Sequence, residues 1–544
     1  GDPFSKIIHF EDIGAQRGLD NSSALEADEE EPQGRRGIRR HATKLSRQLR
    51  KYFNQNLDPL VAPAAEDLQA LQAIHSARVE FGRKLENSFS KALQELQDLG
   101  YPGITDPKLS IAAEINAMDT LNHPSAVQYA VPTHGSLQTY QLPEGSNGLG
   151  YQNLLSIVFA LMSSRDRWMR VGKAAVKHTV VNTIIPPLHL VLVEEPEAHL
   201  HAPVQQVFIK RAYDVLRNHD DLRKSTALRT QLVVSTHSSH IAHQADFASL
   251  RYFRRLPLNT VPGSVPTSSV VNLSDIFGDT NETTRFVKRY IKVTHCDLFF
   301  ADGAILVEGA AERIILPHLV SARPAYERLD RCYVTWLEIG GSHAHRLRSL
   351  LEHLGLDTLV ITDLDAMDAS TKKASPKRNA GLKTRNKTLA TWIPKETSLD
   401  ALLDTDRAAL EATNTNGASV RVCYQQPVKI EFKGKMAEAL ANTFEDALLY
   451  ENIAMFQGLS GPGIVARFRN ALNSSADLEA LGESLRSALS DGSKAEFALD
   501  ILLADETFIT SIAVPKYIHE GLVWLAERLT RRDEALALSA GLPQ

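Results

Sequence analysis

Two short apolar runs fix most of what this chain can become. Ile305-Leu-Val307 ends on Glu308-Gly-Ala-Ala-Glu312, and Leu359-Val-Ile-Thr362 ends on Asp363-Leu-Asp365. Each has the length and β-branched content of a buried strand, and each hands over to carboxylates. In an open α/β sheet the carboxyl ends of the strands are where ligands and chemistry are placed. Acidic side chains gathered at such an edge repel one another unless a cation sits among them, and several hard oxygen donors suit Mg²⁺ or Mn²⁺. A divalent-metal site is the simplest reading. Glu308 and Glu312, four residues apart, are expected to share one face of a helix running to Leu319.

A second pair of apolar runs lies upstream. Leu188-His-Leu-Val-Leu-Val193 ends in Glu194-Glu195-Pro196-Glu197, and Gln231-Leu-Val-Val-Ser-Thr-His237 ends in a histidine. Before them, the glycine-rich turn Glu144-Gly-Ser-Asn-Gly148-Leu-Gly150 runs into an apolar helix, an arrangement whose backbone N–H groups and positive helix end could hold a phosphate. A Walker A loop, Gly-x-x-x-x-Gly-Lys-Ser/Thr, is missing: the two Gly-Lys pairs, Gly172-Lys173 and Gly434-Lys435, are followed by Ala174 and Met436.

With 544 residues the chain can hold two or three domains. No apolar run reaches the length of a membrane span and no signal-peptide pattern opens the chain, so a cytoplasmic location is expected. Cys296, Cys332 and Cys423 have no metal-type or framework spacing and read as core fillers. A net charge of -5 gives no global mark of nucleic-acid binding, so any such surface must be local. Lys372, Lys373, Lys377, Arg378, Lys383, Arg385 and Lys387 supply one candidate, read as a flexible phosphate-gripping loop beside the acidic edge. His343, His345, Arg346 and Arg348 supply another. The acidic run from Glu26 to Glu31 and the arginines at 35, 36, 39 and 40 read as solvated loop. Between Ala64 and Leu99 apolar residues recur at helical spacing, predicting amphipathic helix.

The Glu and Asp-x-Asp motifs resemble the Toprim domain of topoisomerases, primases and some nucleases. The longer string Thr294 to Arg313 resembles the overcoming-lysogenization-defect (OLD) ATPase-nucleases, specifically class 2. The runs ending at Glu197 and His237 resemble the Walker B strand and switch histidine of OLD and related ABC ATPases, and Gly148 to Gly150 resembles a degenerate ABC signature. The resemblance implies an α/β architecture: an ABC-type ATPase portion over 1–290, with its first lobe incomplete and a helical, subunit-pairing insertion over 64–99, then a Toprim domain with helical additions over 291–544.

On this resemblance Glu194 would hold the water shell of Mg²⁺, Glu195 would orient or deprotonate water, and His237 would sense a γ-phosphate. Arg17 resembles an arginine that touches nucleotide or a neighbouring subunit. Glu445, in Thr443-Phe-Glu445-Asp446, would complete a metal set of Glu308, Glu312, Asp363 and Asp365, and Lys494 would stabilise transition-state charge, with Lys516 as second candidate. The implied activity is two-metal DNA cleavage by Mg²⁺ or Mn²⁺, with Ca²⁺ bound non-productively, regulated by ATP in a complete ATPase, in phage defence or DNA repair. The implied partners are DNA, a second or further copies through the ATPase half, and a helicase-like protein. The chain begins at Gly1 and carries no Walker A, so weak or lost ATP hydrolysis is expected. Two other readings stay open: a non-catalytic ABC clamp on DNA ends, and a topoisomerase- or primase-like Toprim enzyme.

Overall fold

The computed structural model describes residues 4, 6–15, 65–98, 108–112, 126–132, 139–142, 149–169, 184–198, 200–256, 267–277, 281–340, 343–490 and 492–540. Arg17, Gly148, His199 and the charge runs between 26 and 40 lie outside the described residues. Two compact units result, Gly1–Ala245 and Asp246–Gln544.

In the first unit, β1 (Ile8–Ile13) precedes the long helix α1 (Ala65–Asp98), an antiparallel sheet of β2 (Lys108–Ala112), β3 (Ala126–Pro132) and β4 (Thr139–Leu142), and helix α2 (Leu149–Trp168). Then come β5 (Leu188–Glu194), α3 (Ala202–Arg217), β6 (Arg229–Ser235) and α4 (Ser239–Gln244). Strands β1, β5 and β6 form a parallel sheet with β5 central. Val191 and Val193 of β5 bury against Leu154, Ile157 and Leu161 of α2 and Phe208 of α3. The second half of α1 joins this core: Leu85, Phe89 and Leu93 pack on it, and Glu95 forms a buried ion pair with Arg165 at 3.1 Å. The first half is different. Val79 and Phe81 are exposed.

The second unit opens with the hairpin β7 (Arg251–Leu256) and β8 (Thr267–Asn272) and the basic helix α5 (Glu282–Thr294). The hairpin lies upstream of the expected boundary at 290 and α5 straddles it, yet both fall within this unit, where the Tyr290 hydroxyl donates to the Glu338 carbonyl. There follow β9 (Gly303–Val307), α6 (Ala310–Ser321), β10 (Val334–Glu338), α7 (Arg348–Leu354), β11 (Asp357–Ile361), β12 (Glu411–Thr413) and β13 (Ser419–Cys423). The sheet order is β10-β9-β11-β13-β12, parallel except for the edge strand β12. Because β9 and β11 are covered on both faces, their residues are buried without alternation, which is why they read as continuous apolar runs.

A hairpin of β14 (Val428–Phe432) and β15 (Lys435–Ala439) leads to a helical layer: α8 (Phe444–Tyr450), α9 (Ile453–Gly458), α10 (Gly463–Ser474), α11 (Leu478–Ser490), α12 (Lys494–Leu502) and α13 (Lys516–Ala540). Phe456, Phe468 and Phe497 meet inside it, each fully buried and each contributing about 1.5–3 kcal/mol of apolar burial. Helix α13 lies close on β11 and β13. A Cβ at Gly521 would stand 2.7 Å from Leu359 Cδ1 and 2.8 Å from Cys423 Sγ, so any larger residue would have to displace those buried side chains.

One local expectation is corrected. The first strand begins at Gly303, after Cys296–Phe300 coils into a 3₁₀ turn. The first helix begins at Ala310. Gly309 is extended at its N-cap, so Glu308 stays on the end of the strand and shares no helical face with Glu312.

Candidate metal centre and ATPase edge

The parallel sheet of the second unit delivers its acids at the carboxyl ends of its two central strands. Glu308 follows β9, and Asp363 and Asp365 follow β11. Glu312 sits in the first turn of α6. These four carboxylates line one cavity of about 750 Å³, together with Lys494 from the start of α12. Glu445, in the first turn of α8, is fully buried behind that lysine, whose ammonium lies 2.9 Å from its Oε2 and 3.7 Å from Asp363 Oδ2. All five expected acids and Lys494 are thus brought together. Lys516 is not: its backbone N–H donates to the Glu451 carboxylate, and it lines a separate cavity with Arg421 and Glu520. Asp446 also borders the acidic cavity, but its oxygens accept from the N–H groups of Asn442 and Thr443 in a capping box.

Neutral side chains hold the acids in place, and charge-based reading overlooked them. The buried Gln425, two residues past β13, donates to Asp363 Oδ1 at 2.8 Å and accepts from Leu364 N–H at 2.7 Å. Phe444 N–H donates to the same Asp363 oxygen at 3.1 Å. Asn386 is fully buried and donates to Thr362 Oγ1 and the Asp363 carbonyl, both at 2.7 Å. Thr362 Oγ1 and Asp363 N–H in turn donate to Glu308 Oε2 at 2.6 and 2.8 Å. Asp365 has φ +51°, a left-handed conformation that Asp tolerates better than most residues, and accepts from Arg385 at 2.9 Å. The signal that could have found Gln425 is its place after a fourth strand of the same sheet.

Burial pushes Glu312 up to about 8, and the Glu445 charge adds to it. Burial likewise lifts Asp363 well above the usual carboxylate range despite the opposing Lys494, and raises Glu308 against its hydrogen bonds from Asp363 N–H and Thr362. For Lys494 burial favours the neutral amine, yet Asp363, Glu445 and Glu312 outweigh it and hold the ammonium charged. Among the described residues, Lys494 is the one cation paired among the buried acids Glu312, Asp363 and Glu445, while Arg385 pairs with Asp365 at the rim. The imbalance fits a hard divalent ion, as does the buried Glu445 Oε1, which has no protein hydrogen-bond partner. Among the described residues no three His, Cys, Asp or Glu groups stand as a ready-made metal cage.

Two expected outcomes arise here. Gln425→Leu and Asn386→Ala should each weaken Mn²⁺ binding about 10- to 100-fold, as loss of groups that orient metal ligands does; a calorimetric titration giving wild-type affinity for both would remove their positioning role. The second concerns pH. Glu312 binds its proton more tightly folded (about 8) than unfolded (4.5), so its contribution is present at low pH and is lost as pH rises through that interval. In EDTA, the melting temperature should fall across that window, Glu312→Gln should flatten the fall, and Mg²⁺ should reverse it. An unchanged slope in the Gln variant would count against the site.

The basic segment beyond Asp365 is tied down rather than loose. Asp368 caps a turn by accepting from Ser370 and Lys372, Lys377 pairs with Glu479 at 2.9 Å, and Arg378 bridges Glu438 and Asp404 at 2.7 and 2.8 Å. Lys373, Lys377, Arg378 and Arg385 face the acidic cavity. The three cysteines are free, and Cys296 and Cys423 are buried.

In the first unit, Glu194 ends β5 and Glu195 follows it in a left-handed conformation, φ +39°, pinned by its N–H to the Ser235 carbonyl at 2.9 Å. Such strain in a non-glycine residue occurs where position matters. His237 Nε2 lies 3.8 Å from Glu195 Oε1, while Glu197 accepts from Thr236 Oγ1 and His237 N–H. Glu194, Glu195 and His237 therefore stand on one edge of the parallel sheet. Gly150 lies in the first turn of α2.

A Walker-type acidic edge followed by a parallel sheet bearing Glu and Asp-x-Asp defines an ATPase joined to a Toprim domain. Comparison with known proteins agrees: residues 21–242 match the AAA ATPase domain, and residues 299–365 match the Overcoming lysogenization defect protein-like TOPRIM domain. The two matches pair an ATPase domain with a TOPRIM domain similar to that of the OLD family. It is 26% identical over 465 residues to Endonuclease GajA of Bacillus cereus (strain HuB5-5), covering 81% of this chain and 60% of that relative. The Endonuclease GajA of strain VD045 is 25% identical over 183 residues, 34% of this chain and 27% of its own. The chain thus spans less than two thirds of the length of these relatives. Among solved structures, the C-terminal region of the Burkholderia pseudomallei OLD protein (20% identity, TM-score 0.24) covers 42% of this chain and 99% of its own. That of Xanthomonas campestris pv. campestris (18%, TM-score 0.25) covers 44% and 98%. Among the described residues no helix is long and apolar enough to cross a membrane.

Proposed function

We propose that the second unit is a divalent-metal-dependent DNA endonuclease and that the first is a regulatory ATPase portion. The observation that carries this reading is the meeting of Glu308, Glu312, Asp363, Asp365 and Glu445 around Lys494 at one sheet edge. Mg²⁺ or Mn²⁺ bound there would supply an activated water and steady the leaving oxygen. The protein's own part is to hold the carboxylates at fixed spacing through Gln425, Asn386 and Thr362 and to keep water-excluding apolar strands behind them. Lys494 places a fixed positive charge where a phosphate gains negative charge. The cations facing the cavity would receive the flanking phosphates.

Plasmid cleavage with Mn²⁺, Mg²⁺ or EDTA tests the reading, with Asp363→Asn, Asp365→Asn alongside. Metal-dependent cutting lost in the variant is the expected result. DNA binding without cutting under any metal would favour the clamp instead. In this reading Glu194, Glu195 and His237 answer to nucleotide, yet the chain by itself should turn over ATP poorly because it lacks a Walker A sequence. Phosphate release well above that of a Glu195→Gln variant would contradict this. Pairing of copies through the exposed first half of α1 belongs to the same proposal, and sedimentation of the chain with Val79→Glu, Phe81→Glu tests it: unchanged mass would remove that surface.

A further inference from the structure

We propose that α5, with Arg313 and Arg346 beside it, forms a phosphate-gripping face on the β10 flank of the acidic edge, and that its partner is the backbone of duplex DNA. This inference rests on the nuclease reading above. Glu338, the last residue of β10, pairs with Val307, the residue before Glu308. The Tyr290 hydroxyl donates to the Glu338 carbonyl, so α5 is fastened one strand, about 4.8 Å, from the strand that carries Glu308. On this helix Arg285 and Arg289 stand one turn apart, both exposed, and neither forms an ion pair among the described residues. Like charges at this spacing disfavour a helix. An anion shared between them would reverse that.

The neighbouring Arg346 is held in place. The Arg346 guanidinium lies 5.4 Å over the Phe286 ring, which stacks on Tyr290 at 5.8 Å, and it also pairs with Glu282, the helix's only acid, at 3.1 Å. Its Nε and His343 Nδ1 are buried without a hydrogen-bond partner. Arg313 follows Glu312 on α6, is exposed, and its charge acts on both Tyr290 and His295. The basic segment 372–387 borders the cavity after β11, whereas these residues lie at β10, so the acidic edge is flanked by positive charge from both sides. A duplex across the edge would be gripped by its phosphates, which fix position without reading sequence.

The test is anisotropy of a fluorescein-labelled 20-base-pair duplex with Ca²⁺, titrated at several salt concentrations. Arg285→Gln, Arg289→Gln should weaken binding roughly tenfold near physiological salt and lower the salt slope by about two, one per lost phosphate contact. Arg285→Lys, Arg289→Lys should restore the slope, and circular dichroism should match wild type for both variants. Equal affinity and slope in the Gln variant and wild type would overturn the surface. If wild type cleaves with metal while the Gln variant binds as well, the surface alone fails; if wild type neither binds nor cleaves, the nuclease reading fails with it.

Discussion

Asp363→Asn, Asp365→Asn should leave a folded protein whose metal-dependent plasmid cleavage is down by on the order of a thousandfold, about 4 kcal/mol of lost transition-state stabilisation. Asparagine keeps the shape of aspartate, and its carbonyl oxygen can still accept from Gln425 and Phe444 N–H, so the local frame survives. The charge does not. Because burial and neighbouring acids already hold Asp363 far above the usual carboxylate range, an amide there avoids the cost of keeping that buried group protonated. The variant should therefore melt higher than wild type in EDTA while gaining less from added Mg²⁺. Loss of activity with a higher melting temperature separates a disabled site from a damaged fold. Cleavage that persists with wild-type metal dependence would show that the acids at this edge are not the catalytic set.

Lys494→Met should lower cleavage by about 100- to 1,000-fold, the range seen when one preorganised positive donor is removed from a site where charge develops. The same substitution strips Glu445 and Asp363 of their counter-charge, so the metal-free protein should lose stability as well. These effects have different remedies. Saturating Mn²⁺ should restore the melting temperature, because a divalent ion replaces the missing charge, but should leave the rate low. A variant that cuts at the wild-type rate once metal is saturating would reduce Lys494 to a charge balancer.

Glu308, Asp363 and Asp365 were legible because they follow runs whose apolar character is unbroken, and β9 and β11 are unbroken because both of their faces are covered. Glu445 and Lys494 carry no such local mark; resemblance brought them forward, and sequence alone left Lys494 and Lys516 as rivals. Folding separates them, since α12 packs across α6 and carries Lys494 to Glu445, whereas Lys516 opens α13 beside Glu451. Gln425 and Asn386 were missed for a related reason. A neutral amide has no charge pattern, and its meaning comes from Asp363 and Glu308, which lie 62 and 78 residues away. The helix expected at Glu308 started late because an extended glycine intervenes. The basic segment looked loose because the acids that tether it, Asp404, Glu438 and Glu479, arrive from distant elements.

The close approach at Gly521 bears on when the site can exist at all. Leu359 and Cys423, against which that glycine rests, lie on the strands that deliver Asp363 and Gln425, and Tyr517 of the same helix accepts from Gln425. The spacing at Asp363 is thus gauged by a helix that begins at Lys516, far along the chain from it. In chain order α13 comes last among the elements packed on that sheet, so the spacing of the acidic edge is complete only with that helix in place.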